Sequence, residues 1–131
     1  REKATSNICT NQALLALRAC IYLCALGKAG IAEVSNHNIQ KSHYAYERLC
    51  ALDVFKPVYE KPFFNEFVLK TTGGLSAAKV NERLLKSGII GGLDISSYYP
   101  ELDNSMLLCV TETKTREAID RLVAETSRIK A

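Results

Sequence analysis

From Ala13 to Leu26 the chain is apolar at almost every position, and Arg18 and Tyr22 are the only large polar breaks. Such a run predicts a helix that is apolar nearly all round and must be covered on most sides. Thr10 or Asn11 can cap its start, and Gly27 suits the left-handed position that ends a helix. A second helix is expected from about Gly30 to Leu52. Ile31, Val34, Ile39, Tyr46 and Leu49 would point inward, and a wet side would carry Asn36, His37, Asn38, Gln40, Lys41, Glu47 and Arg48.

The period changes after Asp53. Val54-Phe55 and Val58-Tyr59 form short extended pieces around Pro57, and Asn65 to Lys70 reads as a strand from the aromatic and branched run Phe67, Val68 and Leu69. Thr71-Thr72-Gly73-Gly74 marks a turn. Ser76 to Ser87 then returns to helical spacing, with Ala77, Val80 and Leu84 inward, and Gly88 closes it. Ile89-Ile90 is a short extended piece, Gly91 to Pro100 a loop, and Met106 to Thr111 a strong strand. A last helix runs from a Thr113 cap to about Arg128, striped by Ala118, Ile119, Leu122, Val123 and Ile129. Strands separated by helices in this order predict an α/β (α+β) two-layer sandwich, with helices on one face of a small, mostly antiparallel sheet.

Composition narrows the function. The 131 residues are enough for one domain with a core of its own. A net charge of +3, with Lys and Arg scattered among Asp and Glu, lacks the clustering that nucleic acid requires. The run 13–26 is shorter than the roughly 20 residues of a membrane span, so a buried core helix is expected and no membrane partner. Five Cys, an odd number set mostly among aliphatic residues, predict free thiols in a reducing cytoplasm. Cys20, Cys24 and Cys109 are expected to be buried and unpaired.

Motifs for chemistry are sparse. Gly73-Gly74-Leu75-Ser76 opens a helix, but neither it nor Gly88-Ile89-Ile90-Gly91-Gly92 has the spacing of a phosphate-binding loop, so both are expected to be structural turns. His37 and His43 are expected to be solvated. No metal-ligand spacing is present, and no nucleophile–base pair stands out. Tyr98-Tyr99-Pro100 either stacks on a cofactor or partner or caps a core edge.

Three stretches carry a resemblance. Arg1 to Leu17, the span from Gly88-Ile-Ile-Gly-Gly-Leu-Asp to Tyr98-Tyr99-Pro100-Glu101-Leu102, and Cys109-Val110-Thr111-Glu112 lie in one order and at one spacing. Together they resemble the glycine dehydrogenase (decarboxylating) family, the P-protein of the glycine cleavage system, and within it the first subunit of the two-subunit bacterial form. The resemblance implies that residues 1–12 are a linker from a large domain and that 13–131 form a C-terminal small domain, as in fold type I pyridoxal-phosphate enzymes. It implies an oxidoreductase complex that decarboxylates glycine and passes the aminomethyl group to the lipoyl arm of H-protein, with pyridoxal phosphate as electron sink. The cofactor lysine would lie on glycine dehydrogenase subunit 2, so this chain would bind no cofactor and supply no catalytic residue. Thr5, Ser6 and Asn7 would sit at the domain junction, at the edge of the active site. Helix 13–26, deprived of the large domain, would make the fragment self-associate. Another fold type I enzyme, such as an aminotransferase, and a free-standing regulatory or assembly module are the alternatives.

Overall fold

The computed structural model describes residues 12–129. The chain divides into two compact units, Arg1–Val34 and Ser35–Ala131. Helix α1 is assigned to Gln12–Cys50, interrupted at Gly27, whose φ of 61° and ψ of −175° leave helical space. The break expected at Gly27 is therefore present, and helix resumes without an intervening loop.

In the first unit, residues 12–25 are exposed throughout. Leu14, Leu15, Leu17, Ile21 and Leu23 each show more than half of their surface. The expectation of a buried core helix is overturned: residues 12–25 are all exposed. The region also passes the length and composition test for a membrane span, with none of the qualifying 18-residue window buried.

The second unit carries a four-stranded antiparallel sheet in the order β1-β2-β4-β3, from β1 (Phe55–Pro57), β2 (Glu66–Thr71), β3 (Leu93–Asp94) and β4 (Ser105–Cys109). Phe67 pairs with Leu108 and Leu69 with Met106, so these four share one face, and all four are buried. Helices α2 (Ala77–Lys86) and α3 (Arg116–Ser127) cover that face with Val80, Leu84, Ile119 and Val123. Ala45 and Leu49 of α1 join the same core. The result is the two-layer sandwich expected from the element order.

Local signals explain most elements. Ser76 caps α2 by accepting from the Lys79 amide, as its place before the apolar stripe predicts. Thr115, rather than Thr113, caps α3 in the same way, accepting from the Ala118 amide. The α1 face differs from expectation. Leu49 is buried as expected, but Ile31 and Ile39 are exposed, and Ser42 and Ala45 are the other buried positions. Two small side chains let the helix backbone approach closely, and Ser42 resolves its hydroxyl by donating to the Phe64 carbonyl at 2.7 Å.

The strand pattern near the second resemblance stretch also differs. Ile89-Ile90 is not a strand, and β3 is Leu93–Asp94 inside the expected loop. Glycine decides this. A Cβ on Gly92 would lie 2.6 Å from the Leu107 carbonyl oxygen, so only glycine lets β3 lie on β4. A Cβ on Gly91 would meet the Asn81 side chain.

Candidate functional site

Two of the three resemblance stretches fall in the described residues, and both serve the second unit. Gly88 leaves α2 at a φ of 69°, beyond the reach of most side chains. Gly91 and Gly92 then pack against α2 and β4, and Asn81 ties the connection by donating to the Gly92 carbonyl at 2.8 Å. After β3, Asp94 accepts from the Ser96 amide and hydroxyl, and the Asn104 amide donates to that hydroxyl, closing the loop on itself. Gly73 and Gly74 both hold positive φ in the turn ahead of α2. The glycine clusters are thus turns and close-packing positions, as expected.

The loop presents Tyr98 and Tyr99 to solvent, 67% and 53% exposed. Neither tyrosine is itself part of the buried core edge. Ile95 fills that place: it is buried, and its carbonyl accepts from both tyrosine amides.

The third stretch acts through its backbone. Asn38 of α1 accepts from the Glu112 amide at 2.6 Å, and Lys41 donates to the Glu112 carbonyl. One turn later Tyr44 donates to Asp120 at 2.6 Å, and the Arg116 guanidinium lies over the Tyr44 ring. One helix face thus grips the segment between β4 and α3. Asn38 and Lys41 were expected on the wet side of the helix but are half-buried; their partners lie more than 70 residues away, and no local pattern signals such a pair.

Several expectations on titratable groups change. His43 is not simply solvated: it stacks on Phe63 at 4.3 Å and meets the Phe63 carbonyl through Nε2. His37 is exposed. Cys20, Cys24 and Cys109 are free, as expected, but exposed rather than buried. The first two sit on the uncovered stretch of α1, and the side chain of Cys109 points away from the helix-covered face of the sheet. Desolvation raises the Cys109 thiol, and Glu66 raises it further, so it stays protonated and is a poor nucleophile. Among the described residues no three His, Cys, Asp or Glu side chains are grouped to hold a metal. Thr5, Ser6 and Asn7 lie outside the described residues, as does most of the expected linker 1–12.

A cleft of about 390 Å³ opens between the Gly88–Gly91 connection, the end of β4 and α3. Its surface is mostly aliphatic, with Lys114 and Arg121 as its only charged groups among the described residues. A pyridoxal-phosphate site needs a sheltered lysine beside an acid. None of the described lysines is buried; Lys70 and Lys86 are in surface ion pairs with Asp103 and Glu82, and Lys41 is held by the Glu112 carbonyl. The described residues therefore do not fit that cofactor.

Comparisons with known proteins place these features in one family. The model of the glycine cleavage system P-protein matches residues 1–126. The probable glycine dehydrogenase (decarboxylating) subunit 1 of Desulfitobacterium hafniense is 53% identical over 99% of this chain and 29% of its own length. That of Anoxybacillus flavithermus is 54% identical over 95% of this chain and 27% of its own. Among solved structures, glycine decarboxylase (P-protein) of the glycine cleavage system, in inhibitor-bound form, superposes with a TM-score of 0.79 at 32% identity, over 97% of this chain and 28% of that one. A C-DES mutant with glycine covalently linked to its PLP cofactor superposes at 0.66 with 15% identity over 90% of this chain and 28% of that one, a likeness of fold alone. The chain spans under a third of the length of these relatives. A match over nearly all of its residues, carried by relatives above 50% identity, decides against an aminotransferase: the chain belongs to the glycine cleavage system P-protein family.

Proposed function

We propose that this chain is the small domain of a first subunit of glycine dehydrogenase (decarboxylating), and that it serves as scaffold and contact surface rather than as a source of catalytic groups. The observation that carries this reading is the contrast between family and residues. The family is that of a glycine decarboxylase, yet the described lysines are exposed or held by carboxylates and a carbonyl. Pyridoxal phosphate would then be held elsewhere in the complex, on a companion second subunit, where it supplies the electron sink for decarboxylation. The lipoyl arm of H-protein would receive the aminomethyl group there. Residues 1–12 would join this domain to a large domain, with Thr5, Ser6 and Asn7 at the junction. Free thiols on an exposed helix suit a reducing, cytoplasmic setting.

The exposed apolar stretch of α1 supports the same reading. Five large aliphatic side chains with more than half of their surface in water form a patch that soluble domains normally cover. The relatives are more than three times longer than the matched region, which leaves ample chain to cover it.

The test is borohydride reduction of the complex of both subunits loaded with pyridoxal phosphate, followed by peptide mapping. The label is expected on one lysine of the companion subunit. Stoichiometric labelling of a single lysine within residues 12–129 would overturn the proposal.

A further inference from the structure

Of the six large apolar residues of the second unit that are more than half exposed, five lie close in sequence to one edge strand of the sheet, and Tyr59 lies elsewhere. Strand β3 ends the strand order and is only two residues long. Leu85 and Ile90 precede it, Leu93 lies in it, and Tyr98 and Tyr99 follow it. All five are more than half exposed, and Ile90 reaches 91%. Ile90 also forms a wall of the 390 Å³ cleft, whose surface includes Leu108, Val110 and Ile119. Lys114 and Arg121 line the same cleft, and among the described residues no Asp or Glu does. Arg121 is fixed in place by donating to the Ser87 carbonyl at 2.5 Å. Lys114 is exposed and takes part in none of the ion pairs among the described residues.

We infer that this edge and cleft are the docking surface for the companion subunit, which would seat an apolar side chain in the cleft with a neighbouring carboxylate against Lys114 and Arg121. The inference rests on the two-subunit reading above. Charge complementarity selects the occupant: a cleft with aliphatic walls and two cations needs an apolar group that brings its own negative charge. The spread of the surface selects a protein over a small carboxylate. Leu85, Leu93, Tyr98 and Tyr99 lie outside the cleft lining, and exposed aromatics beside an apolar anchor point are the composition of protein interfaces. Exposed side chains at an unprotected sheet edge are otherwise a liability that proteins remove.

The experiment places a photoreactive benzoylphenylalanine at position 90 of the full-length first subunit in complex with the companion subunit. Irradiation is expected to crosslink the two subunits, within a companion peptide where an Asp or Glu adjoins an apolar residue. Ile90→Glu and Lys114→Glu are each expected to weaken the association by about tenfold, the loss of one interface anchor or charge pair. Reversing the charge of the crosslinked acid should restore the Lys114→Glu variant. A crosslink within the same chain or to a second copy of it, or two variants that bind like the parent, would overturn the inference while leaving the two-subunit reading intact. Failure of the unmodified subunits to associate would remove the reading itself.

Discussion

Expressed by itself, the 131-residue chain is expected to sediment as an oligomer, and Leu14→Glu with Leu17→Lys is expected to return it toward monomer. Both leucines are just over half exposed, with Leu15, Ile21 and Leu23 beside them at similar values. Full burial of a leucine contributes about 2 kcal/mol, so covering the exposed half of each contributes about 1 kcal/mol. Removing two such contributions weakens the association by about 2 kcal/mol, roughly 30-fold in the dissociation constant. Charged replacements add the cost of desolvation and push the effect higher. Cys20 and Cys24 lie on the same stretch and are exposed, so they report on it directly. Their alkylation should slow as protein concentration rises. Sedimentation of the parent chain as a monomer at high concentration, with both thiols reacting at a constant rate, would contradict this account of the helix.

The second large effect is expected at Gly92. A Cβ there would sit 2.6 Å from the Leu107 oxygen, 3.1 Å from Leu108 Cγ and 3.2 Å from the Leu107 carbonyl carbon. Two of those atoms are backbone of β4 and cannot rotate away. Leu107 is also the partner of Leu93 in the β3–β4 register, so relief of the clash must push one strand off the other. Gly92→Ala is expected to cost about 3 kcal/mol, at the upper end of overpacking, and to lower the melting temperature by roughly 10 °C. Gly74→Ala gives the contrast. Gly74 has a φ of 74° but open space around its Cβ position, so only backbone strain of about 1 kcal/mol applies. Thermal denaturation of the two variants side by side checks the order. Equal melting temperatures would show that the close approach of Gly92 to β4 carries no weight.

Much of the second unit was legible in the sequence because local and tertiary signals agree there. Ser76 stands before a stripe of Ala77, Val80 and Leu84, and cap and stripe both appear as expected. In β2 the apolar run Phe67, Val68 and Leu69 forms the expected strand, with Phe67 and Leu69 on its buried face. Errors arose where a contact outside the window decided the outcome. Ile89-Ile90 has the composition of a strand, yet the glycine pair after it carries the chain onto β4, and Ile90 ends in solvent. Ile31 and Ile39 carry the hydrophobicity of a core face, but close approach favoured Ser42 and Ala45. The apolar run 13–26 predicted burial correctly only if cover from beyond this chain is counted; hydrophobicity states that a surface needs cover, not what supplies it. The grip of Asn38 and Lys41 on Glu112 was illegible for a related reason, since it engages backbone groups far along the chain that no residue pattern marks.

Reconstitution tests the central claim most directly. The full-length first subunit containing this chain and its companion subunit would be assayed separately and together for release of labelled carbon dioxide from carboxyl-labelled glycine, with pyridoxal phosphate and lipoyl H-protein present throughout. The first subunit alone is expected to release none, and mixing the two is expected to produce turnover that saturates at equal amounts of each. Full activity from the first subunit alone, or a companion subunit whose activity does not change when the first is added, would contradict the assignment of this chain as the cofactor-free partner.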